Sequence, residues 1–183
     1  MTKTSGYMQE ILNEINQSIP QIDFNDTSEI IETLYKSKRI FITGAGRSGL
    51  AIRSFGNRLL HLGKSVHVVG DISSPSIQEG DVLVVSSGSG ETEILVTHAE
   101  KAKKQGAKVI LVTTNQNSRL GKIAGKMIIV KAVNKDSEVT TLQPMGSLFE
   151  QASWLLFDAI VLEWKEQYQV SYETMKKRHA NLE

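Results

Sequence analysis

The chain has 183 residues with 21 basic and 20 acidic side chains, a formal net charge of +1. That balance gives no electrostatic footprint for nucleic acid or an acidic membrane surface, and 40% hydrophobic with 22% charged residues is a globular rather than a disordered composition. There is no cysteine, which excludes disulfides, thiolate metal sites and cysteine nucleophiles, and no apolar run reaches membrane-spanning length.

The opening stretch MTKTSGYMQEILNE lacks the basic region, apolar core and cleavage site of a signal peptide, so the expected location is the cytoplasm. Met8, Ile11, Leu12, Ile15 and Ile19 fall at helical spacing, and Pro20 closes the segment. TSEIIETLYKSK predicts a second short helix, capped by Thr27 or Ser28 with Glu29 or Glu32 in its first turn. Then the rhythm changes. RIFITGAG, SVHVVGD, DVLVVSSG, KVILVTT and KMIIVKA are five Val- and Ile-rich runs with little alternation, the pattern of parallel strands buried on both faces.

Helical stretches separate most of these runs. RSGLAIRSFGNRLLHLG is expected to bury Leu50, Phe55, Leu59 and Leu62 and to stop at Gly63. ETEILVTHAEKAKKQG groups Ile94, Leu95, His98 and Ala102, carries Lys101, Lys103 and Lys104 near its end, and stops at Gly106. NSRLGKIA is a short helix, while DISSPSIQEG is too short and broken for one. Residues 133–143 read as a polar loop, in which Asp136 and Glu138 have no metal-ligand spacing. After Pro144 comes the longest helix, with Leu148, Leu155, Leu156, Ala159, Ile160 and Leu162 apolar on more than one side, so it is expected to pack on a partner subunit too. SYETMKKR starts a last helix with Ser171 as its cap. Strands alternating with helices predict an α/β fold in three layers, helix–sheet–helix, around a five-stranded parallel sheet. The chain reads as one domain over 1–183, with N-terminal helices over 1–38, a sheet core over 39–131, and C-terminal helices and a tail over 144–183.

Two strand ends carry glycine-rich loops that open helices: TGAGRSG, with Gly44, Gly46 and Gly49, and SSGSGET, where five of the seven residues are Ser or Gly. Glycine lets backbone approach a ligand closely, and free N–H groups at the following helix start attract negative charge. Hydroxyls add donors, so the chemistry favours a phosphate monoester. In a sheet of order 2-1-3-4-5, strands one and three are neighbours whose helices leave to opposite faces, and both loops then line one crevice. A rival is a dinucleotide. Gly44-x-Gly46-x-x-Gly49 matches the nicotinamide fingerprint, and Asp71 lies 22 residues past Gly49. That fingerprint leaves the second loop unexplained, and Arg47 and Ser48 suit a phosphosugar better than a close-approaching pyrophosphate.

GAGRSG and SSGSGET resemble the sugar isomerase (SIS) domain family. GAGRSGLAIRSFGNRLLHLG, SGSGET, QPMGSLFEQ and the terminal RHANLE together resemble its 6-phospho-3-hexuloisomerase branch, from about Arg39 to Glu183. The resemblance implies a phosphosugar isomerase of the ribulose monophosphate route of formaldehyde fixation, converting 3-hexulose 6-phosphate to fructose 6-phosphate. It implies a homo-oligomer, a tetramer. It implies that Ser48 with Ser87, Gly88, Ser89, Gly90, Glu91 and Thr92 binds the sugar phosphate and that Glu150 is the proton acceptor.

The residues themselves allow these roles. Ser87, Ser89 and Thr92 offer hydroxyls, and Gly88 and Gly90 offer N–H groups. Glu91 is awkward beside a phosphate unless it turns away to receive helix N–H groups. Leu148, Trp154 and Leu155 near Glu150 form an apolar surround, in which a carboxylate is a stronger base. His179, on the tail, is a candidate donor to the reacting oxygen, in its own or a neighbour's site. Arg47 either pairs with the phosphate or a sugar hydroxyl, or caps the crevice rim. His61 reads as structural, and His67 and His98 have no suggestive neighbour. The chemistry needs neither a metal nor a redox cofactor. A non-catalytic phosphosugar sensor and an aldose–ketose isomerase, such as one acting on arabinose 5-phosphate, remain open. The residues before the first strand are not basic and show no helix-turn-helix pattern.

Overall fold

The computed structural model describes residues 2–131 and 141–182. Most of the polar stretch 133–143, including Asp136 and Glu138, lies outside them.

All five Val- and Ile-rich runs are strands, because branched side chains fit a pleated surface covered on both sides. They are β2 (Ile40–Gly44), β3 (Val66–Val68), β4 (Val82–Ser86), β5 (Lys108–Thr113) and β6 (Lys126–Val130). They are mutually parallel and lie side by side as β3-β2-β4-β5-β6, which is the 2-1-3-4-5 order of the five runs. The sheet nevertheless has six strands, not five. A two-residue strand, β1 (Ile22–Asp23), pairs antiparallel with β6, Ile22 opposite Val130 and Asp23 opposite Ile129. It blunts an edge that would otherwise expose unpaired backbone groups.

The helices are α1 (Lys3–Ser18), α2 (Thr27–Lys36), α3 (Gly46–His61), α4 (Glu93–Lys104), α5 (Arg119–Ile123), α6 (Ser147–Gln167) and α7 (Tyr172–Lys177). Successive strand side chains point to opposite faces. Ile40, Ile42, Val82, Val84, Ile110 and Val112 pack with buried residues of α2, α3 and α6. Phe41, Leu83, Val85, Val109 and Leu111 pack with α4 and α5 on the other side. The neighbouring strands β2 and β4 thus send α3 and α4 to opposite faces, and a crevice opens at their C-terminal ends.

Three tethers hold these elements in place. On one face, Phe55 of α3 stacks on Phe157 of α6 with ring centroids 4.7 Å apart, which sets the two helices side by side with their first turns level. At the lead-in to α6, the Glu14 carboxylate of α1 accepts from Leu142 N (2.7 Å), Thr141 Oγ1 (2.7 Å) and Gln143 Nε2 (2.9 Å). Burial works to raise the Glu14 carboxyl, and these three donors outweigh it and hold it below the ordinary glutamate value. At the opposite end of the sheet, Asp81 is 1% exposed and accepts from Arg39 Nε (3.1 Å), Arg39 Nη2 (2.6 Å) and Gln78 N (2.9 Å).

Several expectations need correction. Leu50 is 63% exposed and Ile94 is 55% exposed, so neither belongs to the core. A 3.6-residue period places a side chain only roughly, and Leu50 falls just beyond the stripe that meets the sheet. On α6, Leu148, Leu156 and Ile160 are buried while Leu155 and Leu162 are exposed at 47% and 64%, so this helix is apolar on more than one side, as its sequence led us to expect. Helix α2 is capped by Asp26, not Thr27 or Ser28, and without a side-chain bond to the helix; Ser28 instead donates to Glu163. Ser171 does cap α7, accepting from Thr174 N at 3.1 Å.

Candidate active site

The two glycine loops meet at the crevice between β2 and β4 and enclose a cavity of about 350 Å³. From the first loop and the start of α3 come Gly46, Arg47 and Ser48; from the second, Ser86, Ser87, Gly88, Ser89 and Thr92; from α6 and its lead-in, Met145, Phe149 and Glu150. The N-terminal ends of three helices, α3, α4 and α6, therefore converge on one space. Each presents free N–H groups and the positive end of its dipole, which makes the cavity a place for an anion.

The loop backbone is shaped by specific contacts. A Cβ on Gly49 would lie 2.6 Å from Gly44 O, so α3 sits on its strand at a distance only glycine allows. Gly90 has φ +70°, and a Cβ there would lie 2.1 Å from Ser118 Oγ. Ser87 Oγ accepts from Gly90 N (3.2 Å) and Ser89 Oγ from Glu91 N (3.2 Å), which leaves both hydroxyl protons for another acceptor. Thr113 Oγ1, Thr114 Oγ1 and Thr114 N all donate to Gly88 O, pinning the loop from below. Thr92 caps α4 with no side-chain bond to the helix.

Glu91 turns away from the cavity. Its Oε1 accepts from Arg119 N at 3.0 Å, at the first turn of α5. This removes the repulsion that a carboxylate beside a phosphate would cause. Gly90 and Glu91 are thus supports behind the loop and do not line the space that Ser48, Ser87, Gly88, Ser89 and Thr92 line.

Glu150 lies in the first turn of α6 with its side chain 16% exposed. Its surround is not purely apolar. Arg47 Nε donates to Glu150 Oε2 at 2.5 Å, from a side chain that is 64% exposed. Trp154 and Leu155, expected to enclose it, are themselves 46% and 47% exposed and line a neighbouring groove of about 420 Å³ with Leu12 and Leu50. That groove opens onto the same Arg47–Glu150 pair.

His179 is far from this cavity in its own chain. Its ring stacks on that of His61 at 5.0 Å, at the C-terminal end of α3, and a helix of this length spans about 24 Å. The preceding Arg178 donates to His61 O (3.2 Å), so this residue of the RHANLE motif satisfies the end of α3. The other histidines lie apart from the cavity. Thr43 Oγ1 and His98 Nδ1 are 3.2 Å apart on the α4 face, and His67 tilts against Phe41. Burial, with the charge of Lys101, pushes His98 below the usual histidine value. Asp71, the ribose candidate of the dinucleotide reading, faces Arg53 at 3.5 Å. Among the described residues, no group of three His, Asp or Glu side chains is placed to hold a metal ion, and no helix is long and apolar enough to cross a membrane.

Sequence reasoning missed Phe149, Met145 and Ser86. Phe149 lies against Gly88, and Met145 holds a left-handed φ of +57° at the cavity mouth, a strained conformation for this residue type. Nothing local in the sequence signals either.

The SIS domain family model matches residues 33–153. The 3-hexulose-6-phosphate isomerase of Bacillus subtilis (strain 168) is 42% identical over 99% of this chain and 100% of its own length. That of Mycobacterium gastri is 37% identical over 94% of this chain and 88% of its own. Among solved structures, a hypothetical protein from Methanococcus jannaschii, whose structure was reported to infer a function of 3-hexulose-6-phosphate isomerase, superposes with a TM-score of 0.85 at 29% identity, covering 97% of this chain and 99% of that one.

Proposed function

Because this chain belongs to the SIS domain family, we propose that it is a phosphosugar isomerase that interconverts 3-hexulose 6-phosphate and fructose 6-phosphate through a 2,3-enediolate. The observation that carries this reading is one cavity with two chemistries: a hydroxyl- and N–H-rich cradle at three helix starts, and a single carboxylate, Glu150, on its wall. Support comes also from the near full-length similarity to proteins named for this reaction. A place in the ribulose monophosphate route accords with those names.

Ser48, Ser87, Ser89 and Thr92, with the N–H groups of Gly88 and of the helix starts, hold the phosphate. Binding energy at this remote group fixes the reacting carbons against the base. Glu150 removes the proton on C2, alpha to the C3 ketone. The C–H electron pair becomes the C2=C3 double bond, and the carbonyl electrons move to O3. The proton then returns to C3 as the O2 oxygen becomes the new carbonyl and its hydroxyl proton passes to O3. Atoms and electrons balance with no redox partner. Arg47 restrains Glu150 while the site is free and pairs with the sugar phosphate when it is filled.

The variant Glu150→Gln tests this reading. We expect kcat to fall by about 10³-fold and fructose 6-phosphate binding to change by less than about threefold. Turnover at the native rate with the glutamine would rule Glu150 out as the base.

We also infer a homo-oligomer, a tetramer, in which the tail and His179 serve a neighbour's site. The support is the row of exposed apolar side chains Leu12, Leu50, Trp154, Leu155 and Leu162, together with the distance of His179 from its own cavity. Mixing inactive Glu150→Gln and His179→Ala proteins should then restore part of the activity. No recovery after exchange of subunits would exclude a shared site.

A further inference from the structure

The cavity holds one donor that the phosphate cradle does not use. Ser86, the last residue of β4, is 0% exposed, and its Oγ has no hydrogen-bond partner. Buried hydroxyls are almost always paired, because an unpaired one has given up water for nothing. The four residues before it, Val82, Leu83, Val84 and Val85, are all apolar and buried, so an apolar residue would cost less here.

Its position says where the hydroxyl is directed. Val82 and Val84 belong to the face packed against α3 and α6, and Ser86, two residues further on, follows the same face. Its cross-strand neighbours are Gly44 on β2 and Val112 on β5, neither with a polar side chain to offer. Above this face the cavity is walled by Phe149 and Glu150 of α6. Four other buried side-chain atoms among the described residues have no partner: Thr27 Oγ1, Gln143 Oε1, Gln151 Oε1 and Ser153 Oγ. None of those residues lines this cavity, and Ser86 does.

We infer that Ser86 is a further catalytic residue, whose Oγ–H donates a hydrogen bond to the substrate oxygen that gains charge as the enediolate forms. The inference rests on the isomerase reading above. When Glu150 takes the C2 proton, the electron pair displaced from the C3 carbonyl collects on O3. Ser86 keeps its own proton and shares it with that oxygen. The Oγ is sealed in the free site, so a turn of this short side chain brings it to the sugar oxygen, where it gains its missing partner and stabilises the developing charge.

The variant Ser86→Ala tests the inference by separating turnover, binding and stability. We expect kcat to fall on the order of 10²-fold, as when a single oxyanion donor is removed. KM, and competitive inhibition by inorganic phosphate, should stay within about threefold, because the cradle is untouched. The melting temperature should hold or rise, since the hydroxyl lost had no partner. Should the alanine variant not fold, Ser86→Cys, nearly isosteric with a weaker donor, reads the same separation with a smaller fall in kcat. Unchanged kcat in a wild-type-active background would overturn the inference alone. A fall in kcat matched by a lower melting temperature would overturn it in favour of a structural role. A wild-type protein that does not isomerise the sugar phosphate would sink the functional reading and this inference together.

Discussion

Arg47 Nε donates to Glu150 Oε2 over 2.5 Å, although the two residues are 103 positions apart and lie on different helices. The pair joins the first turn of α3, which the first glycine loop opens, to the first turn of α6. It exists because Phe55 and Phe157 hold the two helices together further along. The proposed base therefore carries a counter-charge on a long, exposed side chain that is free to swing toward an incoming phosphate.

Replacement of Arg47 by Ala should leave stability within about 0.5 kcal/mol, because a pair with one partner this exposed contributes little. Phosphosugar binding should weaken about tenfold, the order of one charge-assisted hydrogen bond. Arg47→Lys keeps the charge without the planar fork and should fall between. Thermal melting and KM read the two effects separately. A lowered melting temperature with unchanged KM would make Arg47 a structural residue.

Much of this site was legible in the sequence, for physical reasons. Val- and Ile-rich runs announce strands buried on both faces, and Gly-rich strand ends followed by helices announce an anion site. The five runs follow from those signals, whereas the order they take in the sheet was an assumed doubly wound arrangement that only the strand pairing shows. The two-residue β1 is too short to show any period. The outward face of Leu50 was not legible, because apolar character reveals a wish for burial but not which neighbour supplies it. The Arg47–Glu150 pair and the partnerless Ser86 hydroxyl are tertiary facts with no local pattern. Glu14 was undiagnostic as a sequence residue, yet it ties α1 to the segment leading into α6.

The variant Gly90→Ala should disturb stability and binding together. The new methyl would meet Ser118 Oγ, itself bonded to Asn115 O and Gly121 N, at a backbone φ that disfavours any side chain. We expect a loss of about 2 kcal/mol in urea unfolding and a raised KM. A variant as stable and active as the parent would mean the loop tolerates another conformation.

Acid stability should depend on Asp81. Burial works to raise its carboxyl, but the hydrogen bonds from Arg39 and Gln78 N, with the charges of Arg39 and Lys38, hold it below the ordinary aspartate value. A carboxyl depressed in the folded state stabilises the fold above its unfolded pKa, about 3.9. That contribution is lost as the pH falls through the lower folded value. Asp81→Asn should lower stability near neutral pH, by removing the buried charge to which Arg39 and Gln78 N donate, and should flatten the stability profile below about pH 4. Unfolding curves that keep the same acid limb in the variant would place the sensitivity elsewhere.

The most direct test of the isomerase assignment follows fructose 6-phosphate by NMR with the protein in deuterated water. The account predicts deuterium at C3 of the sugar, or the signal of the 3-ketose where the proton is returned internally, because the base works between C2 and C3. Deuterium at C1 would contradict it in favour of an aldose–ketose isomerase. No change at either carbon, with the sugar phosphate still bound, would contradict it in favour of a sensor that holds the ligand without turning it over.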